Sequence, residues 1–219
     1  MQCLSVKQPA AGLICRSEKT IENRSRKLFA AERYQLPFWC LVHASATWMR
    51  GEHSGFTVVR GKKGTVEGLT RTAEGHARLE PPDLYPTGAI IGAMLVGGMV
   101  PAALVTDAAD LPWCSGPWCL QITAAVVLPE PVPFKGRLGM YDVQPERLGA
   151  ANLARLAAAA GCASADGGAV ARHFRRVPLP RPARKRRRSD AEPAAAVRAA
   201  LEAVLQRVDA EHAQRPPRK

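Results

Sequence analysis

Four polar residues close together in the chain, Lys19, Thr20, Glu22 and Arg24, have side chains well suited to chemistry. Residues 18–24 alternate with a period of two, which predicts a strand with Thr20, Glu22 and Arg24 on one face. Lys19 is a compact cation that can meet a phosphate or, when desolvated, act as a base. Arg24 can bind a phosphate or stack on a nucleobase, and Glu22 can accept hydrogen bonds from a base edge. The segment therefore predicts one wall of a polar cleft.

The same residues also have a purely structural interpretation. Glu22 and Arg24 could pair with each other, and a surface pair of that kind contributes only about 0–1 kcal/mol. If the protein is an enzyme, the catalytic candidates are Lys19, Thr20 and Glu22. Adjacent residues on a strand point to opposite faces, however, so Lys19 and Thr20 would need a bulge or twist to act together. The residues alone leave binding, catalysis and structural pairing open.

Further candidates lie at two distant places. His43 ends an apolar run of strand length, residues 38–44, and is a candidate for the cleft mouth. Lys135 and Arg137 stand on either side of Gly136 and add a second cationic rim. A lone histidine is more often structural than functional. The nucleic-acid-binding candidates are Lys19, Glu22, Arg24, His43, Lys135 and Arg137.

Positive charge is concentrated in the last third of the chain. The 219 residues carry a net charge of +12. Residues 1–143 hold 15 basic against 12 acidic side chains, whereas residues 144–219 hold 16 against 7. This division predicts a nearly balanced domain followed by a basic, Ala-rich tail that attracts phosphate polymers or acidic partners.

The densest basic run has the composition of a nuclear import signal, and it would serve equally as a phosphate-binding tail. The N-terminus lacks the long apolar core of a secretory signal. We therefore expect a nuclear or cytoplasmic protein. The residues of the basic run are Arg184, Lys185, Arg186, Arg187 and Arg188.

The six cysteines do not form a recognisable framework. No C-x-x-C pair occurs, and Cys114-x4-Cys119 has no second paired cluster. This spacing fits neither a zinc site nor a disulfide scaffold, so reduced thiols are expected, with no metal and no cofactor.

The patterning predicts many strands and few helices, hence an α+β fold with a small mixed sheet or barrel. Residues 86–106 are uncharged, but Gly97-Gly98 and Pro101 interrupt them, which favours a buried strand over a membrane span. Residues 46–87 are rich in Gly, Lys, Arg and Glu and predict a long loop insertion. The predicted strands are 3–6, 18–24, 38–44, 88–96, 118–128 and 136–143, and the predicted helices are 10–16, 147–160 and 192–214.

Three segments, in this order, resemble the ASCH domain, a member of the PUA-like superfamily, and most closely its EOLA-like branch. The first is SVKQPAAGLI at 5–14 with KTIENR at 19–24. The second is LVHAS at 41–45, followed after the insertion by GAIIG at 88–92. The third begins at Gly116-Pro117-Trp118 and ends with PVPFKGRLG at 131–139.

The resemblance covers residues 3–143 and implies a compact PUA-like mixed β-barrel with a cleft beside the first helix and the Lys19–Arg24 strand. Members of the family are associated with RNA binding, and some small bacterial relatives are amidohydrolases that act on acetylated cytidine. This chain departs from the family at Ser17, Ala10 and Arg26, where a glycine, a tryptophan and an aromatic residue are usual. It also has Glu22 where the amidohydrolases place a catalytic threonine.

We therefore predict a protein that binds RNA or a nucleotide, with single-stranded or modified RNA held in a polar cleft. One alternative is an amidohydrolase that acts on N4-acetylcytidine-type nucleosides. A second is a protein-interaction or transcription-coregulator-like module that docks through the apolar stripe of the 192–214 helix. We expect a monomer without a membrane partner.

Overall fold

A computed structural model of the protein describes residues 1–29, 34–50, 52–53, 56–62, 65–73, 76–175 and 177–178. The chain divides into two compact units, Met1–Leu179 and Pro180–Lys219. The basic run at 184–188 and the predicted helix 192–214 lie outside the described residues. In chain order the elements are β1 Gln2–Gln8, α1 Ala10–Cys15, β2 Ile21–Arg24, β3 Phe38–Trp48, β4 Glu52–His53, β5 Phe56–Arg60, β6 Val66–Ala73, β7 His76–Glu80, β8 Ala89–Pro101, β9 Trp118–Pro133, β10 Met140–Asp142, α2 Ala150–Ala160 and α3 Gly167–His173.

The first sheet has six strands in the order β10-β1-β3-β8-β9-β2. β1 and β3 run parallel, and the other neighbours are antiparallel. The α+β prediction is confirmed. The predicted mixed β-barrel is not closed in the described residues, because β10 and β2 lie at the two ends of the sheet and do not pair with each other. β8 and β9 are long strands whose pairing shifts register three times, which accommodates bending of the sheet without closing it.

Residues 46–87, predicted as a loop, contain all four strands of a second sheet, which is antiparallel and has the order β4-β5-β6-β7. Its apolar side chains pack together with residues of α1 and of the segment before β8. The prediction failed because the glycines and charges that dominate this segment conceal a few well-spaced apolar residues. The buried members of the cluster are Leu13, Phe56, Val58, Leu69 and Tyr85.

The first sheet separates two apolar cores. Alternating side chains of β3 divide between them, because successive residues of a strand face opposite sides of the sheet. Phe38, Cys40 and Val42 join the core that contains α1. Trp39 and Leu41 join the core that contains α2 and α3. Both faces of the sheet are therefore covered.

The helices beyond residue 143 belong to this first unit and not to a separate tail. The helix predicted at 147–160 is present as α2, and α3 was not predicted. Leu156, Val170 and Phe174 are fully buried in the second core. The Phe174 ring stacks on Trp39 at a centroid distance of 6.0 Å. The boundary of the first unit therefore lies near residue 179, and 144–179 are part of the fold.

Close packing of α1 on the sheet depends on Gly92. A Cβ atom at this position would lie 2.4 Å from Cys15 Sγ and 2.4 Å from the carbonyl oxygen of Val126. Because Gly92 has no side chain, Cys15 of α1 can pack directly against the backbone of β8. The strand predicted at 88–96 is present as β8, which continues to Pro101. Among the described helices, none has both the length and the hydropathy that a membrane span requires.

Replacing Phe174 by alanine tests whether the segment after β10 is integral to the fold. Because the side chain is fully buried against Trp39, we expect Phe174→Ala to lower the free energy of unfolding by about 3–5 kcal/mol, measured by urea denaturation. Leu104→Ala, at a residue that is 67% exposed, is the control. Equal stability of both variants would contradict the assignment.

Candidate functional site

Three of the predicted site residues form a buried chain of charges around β2. Lys19 is 4% exposed and Glu22 is 8% exposed. Lys19 Nζ lies 3.4 Å from Glu22 Oε2, and it also donates a hydrogen bond to the carbonyl of Ile21. Arg24 Nη2 lies 3.1 Å from Glu22 Oε1. Each carboxylate oxygen thus faces a different cation, and the pairing of Glu22 with Arg24 that the sequence left open is present.

The strand begins later than predicted, and this brings Lys19 to Glu22. β2 starts at Ile21 rather than at residue 18. Lys19 therefore lies outside the strictly alternating part of the chain and is free to approach Glu22. Thr20 does not join this pair, because its Oγ1 donates to Asp110 Oδ1 at 2.5 Å.

Trp113, in the short 3₁₀ helix Leu111–Trp113 between β8 and β9, covers the Lys19 ammonium. Lys19 Nζ lies 5.8 Å from the centroid of the Trp113 ring, within the range of a cation–π contact. Phe56 of the second sheet stacks on the same ring at 6.4 Å. The tryptophan therefore links the charge cluster to both sheets.

Asn23 ties the same connection to β2. Its Nδ2 donates to the carbonyl of Trp113 at 2.7 Å, and its Oδ1 accepts from the backbone N–H groups of Ser115 and Gly116 at 2.9 and 3.2 Å. Asn23 and Asp110 were not among the site residues predicted from the sequence. Their partners lie about ninety positions away, so no local pattern could have shown the contacts.

Arg24 connects the charge cluster to a second group of polar residues. Its Nη2 donates to the backbone carbonyl of Ser5 at 3.0 Å. Its Nε is buried and has no hydrogen-bond partner among the residues that the structure describes. Ser5 belongs to β1, so the ion pair on β2 holds the backbone of a strand that is remote from it in the sheet.

Ser5 and His43 face each other on the parallel strands β1 and β3. Ser5 Oγ lies 3.1 Å from His43 Nδ1, and His43 Nε2 lies 2.9 Å from the carbonyl oxygen of Phe134. A carbonyl only accepts, so Nε2 carries the hydrogen and Nδ1 accepts from the serine hydroxyl. Burial lowers the pKa of His43 below its ordinary value of 6.5, which favours this neutral form. Tyr141 lies 3.4 Å from the same serine oxygen.

Gly136 permits the loop after β9 to reach this pair. A Cβ atom at Gly136 would lie 2.4 Å from His43 Cε1 and 2.7 Å from Ser5 Oγ. The backbone therefore crosses directly beside both side chains. Lys135 and Arg137, both exposed, flank the crossing point.

Two cavities share this loop. The smaller, about 390 Å³, is lined by Ser5, His43 and the loop residues 134–138 among others. The larger, about 710 Å³, shares residues 134–137 with the smaller and is also lined by Asp142 and Arg147. The Arg147 guanidinium lies 5.8 Å from the centroid of the Phe134 ring. Arg147 lies in the segment predicted as a tail, so it was not among the site residues predicted from the sequence.

The predicted binding residues therefore fall into two groups. His43, Lys135 and Arg137 line the smaller cavity, whereas Lys19, Glu22 and Arg24 are not among its lining residues. Arg24 joins the groups through the Ser5 backbone. Within the described residues, no three histidine, cysteine, aspartate or glutamate side chains are grouped so that they could hold a metal ion.

Comparisons with known proteins add no assignment. No protein-family description matches the chain, and a search of the curated proteins finds no match. The ASCH resemblance rests on the quoted motifs alone.

Glu22 is the residue whose loss should leave two cations without their counter-charge. We expect Glu22→Gln to lower the free energy of unfolding by about 3–5 kcal/mol, because Lys19 and Arg24 stay in place with an unneutralised charge. Glu18 pairs with Arg16 at 2.7 Å in a more exposed setting, so Glu18→Gln should cost about 0–1 kcal/mol. Urea unfolding of both variants measures the difference, and equal losses would contradict the buried charge chain.

The buried histidine should make stability depend on pH. The unfolded chain binds a proton at His43 near pH 6.5, whereas the folded protein resists doing so, because burial lowers that pKa. Stability should therefore fall as the pH drops below about 6.5. We expect His43→Gln to flatten this slope between about pH 7 and pH 5, and the exposed His173→Gln to leave it unchanged. Chemical denaturation at several pH values measures both slopes, and parallel curves for wild type and His43→Gln would refute the expectation.

Proposed function

We propose that the chain is a PUA-like, ASCH-type protein that binds single-stranded or modified RNA, or a nucleotide. The observation that carries the proposal is the loop Lys135-Gly136-Arg137, which places two exposed cations where two cavities meet. Single-stranded RNA offers phosphates together with exposed base edges, and both are matched by this arrangement. The binding site is therefore assigned to this loop and its two cavities.

Phosphate contact falls to the cations that border the cavities. Lys135 and Arg137 flank the crossing loop, and Arg147 stands over Phe134 on the larger cavity. Arginine can form paired hydrogen bonds with a phosphate, and its planar group can also stack on a base. The larger cavity thus suits the sugar–phosphate part of a ligand.

Base recognition falls to the smaller cavity. Its volume of about 390 Å³ lies within the range typical of small-molecule sites. Ser5 and Ser45 bring hydroxyl groups, and Lys135 and Arg137 bring cations, to a lining that also contains Phe134 and Leu138. A few polar groups among apolar walls are the usual means of orienting a planar ligand.

In this proposal the ion pairs on β2 position the site and do not touch the ligand. Glu22 already engages Lys19 and Arg24, and Arg24 holds the Ser5 carbonyl. These contacts support the strand that presents the Ser5 hydroxyl. The excess charge of residues 144–219 adds affinity for phosphate that is independent of base sequence.

The amidohydrolase remains the competing proposal, and the meeting of Lys19 with Glu22 in the protein interior favours it. A base and a carboxylate in contact are a common catalytic arrangement. Thr20, the hydroxyl of that set, is hydrogen-bonded to Asp110 instead of Lys19. The protein-interaction alternative depends on residues 192–214, which lie outside the described residues.

RNA binding should depend on the loop cations. We expect Lys135→Ala with Arg137→Ala to weaken binding of a labelled single-stranded RNA in fluorescence anisotropy. The slope of log affinity against log salt should fall in magnitude by about 1.4, since each phosphate contact on a single strand contributes about 0.7. The matched control is Lys62→Ala with Arg26→Ala, which removes the same charge from exposed positions that line neither cavity and lie before residue 144.

Two outcomes would overturn the assignment. One is the absence of RNA affinity at low salt, and the other is an equal loss in the control double variant. Incubation with N4-acetylcytidine provides the enzymatic arm. Release of cytidine by the wild type, abolished in Lys19→Ala and retained in the loop variant, would replace the binding proposal by the hydrolase.

A further inference from the structure

Two cysteine thiols lie in contact close to Trp113, the residue that covers Lys19. The sulfur atoms of Cys114 and Cys119 are 3.6 Å apart. Cys114 follows the 3₁₀ helix Leu111–Trp113, and Cys119 lies on β9 opposite Asn23 of β2. The sequence spacing predicted reduced, unconnected thiols, and it gave no reason to expect this contact.

The separation is small enough for a bond to form with little movement. A disulfide places its sulfur atoms about 2.05 Å apart, so closure requires the two thiols to approach by about 1.5 Å. Cys114 lies in an irregular connection, where a side-chain rotation is less restricted than on a paired strand. Cys119, on the strand, can stay in place.

The two thiols differ in accessibility, and this sets the order of their chemistry. Cys114 is partly exposed, whereas Cys119 is fully buried. Burial, with the neighbouring Cys114 as a further contribution, raises the pKa of Cys119 to about 11. A reagent in solution therefore meets Cys114 first, because Cys119 is buried and its raised pKa keeps it protonated. Cys119 can resolve an adduct at Cys114 because the two sulfur atoms are only 3.6 Å apart.

The geometry points to a redox modification site at Cys114 and Cys119 whose reaction partner is a low-molecular-weight disulfide of the glutathione type. The Cys114 thiolate attacks one sulfur of the reagent, forms a mixed disulfide and releases one reduced thiol. The Cys119 sulfur, after losing its proton, attacks the Cys114 sulfur and releases the second. Both protons end on the released thiols, and two electrons pass from the cysteines to the reagent.

A disulfide between Cys114 and Cys119 would lie next to the residues that contact Thr20 and Lys19. Cys114 Sγ lies 3.5 Å from the carbonyl oxygen of Asp110, whose side chain accepts from Thr20. The residue before Cys114 is Trp113, which covers Lys19. Oxidation would therefore fasten the connection between β8 and β9 to the strand beside β2 and hold Trp113 over the ammonium. This inference does not depend on the proposed RNA binding.

The test uses the full-length chain carrying Cys162→Ser, which removes the other partly exposed cysteine. After incubation with oxidised glutathione and removal of the reagent, the thiol titre in denaturant should fall from five to three, since six cysteines less one remain. Peptide mapping should recover a fragment linked through Cys114 and Cys119. In this background, Cys119→Ser should accumulate a stable glutathione adduct at Cys114, and Cys114→Ser should retain all of its thiols.

Three results would overturn the proposal. The first is a persistent adduct at Cys114 without the internal bond when Cys119 is present. The second is a titre that does not fall, and the third is an equal fall in Cys114→Ser. Peptide mapping of the Cys162→Ser chain requires no substitution at Cys114 or Cys119. It therefore tests the proposal even where one of those two variants folds poorly.

Discussion

The carboxylate of Glu22 bridges two cations, the buried Lys19 and the partly exposed Arg24, and much of the site depends on it. Without that charge, Lys19 and Arg24 would stand desolvated beside the sheet, at a cost that few other contacts of the fold could offset. With it, Arg24 reaches the Ser5 backbone, and the serine hydroxyl meets His43. The electrostatics of a four-residue strand thus position groups on β1 and β3.

Periodicity predicted the fold where side chains alternate or repeat over several residues. The apolar run at 38–44 is part of β3, the uncharged run at 88–96 is part of β8, and the short helix after Pro9 is α1. It failed over 46–87, because the apolar residues that hold the second sheet stand singly among glycines and charges. The charge distribution placed the domain boundary too early, at residue 143. A count of charged residues does not reveal that α3 has a buried apolar face.

The candidate site was only partly predictable for a different reason. Glu22 and Arg24 are two residues apart on one strand, so their contact follows from local geometry. Lys19 was predicted on the opposite face and reaches Glu22 only because β2 starts after it. Ser5, Asp110 and Arg147 reach the site through the order of strands and the path of connections, which one sequence does not reveal. The loop at Gly136 was selected for its charges, whereas its glycine is what permits the approach to His43.

The position of β1 between β3 and β10 has a consequence for biosynthesis. Residues 2–8 are translated before either of their partner strands, since one edge of β1 pairs with β3 and the other with residues 140–142. The Met1 ammonium group likewise donates to the carbonyl of Val143. Such long loops delay folding, because their ends must be brought together before the contacts form. On the ribosome, β1 therefore waits with an unpaired edge until residues 140–142 have emerged.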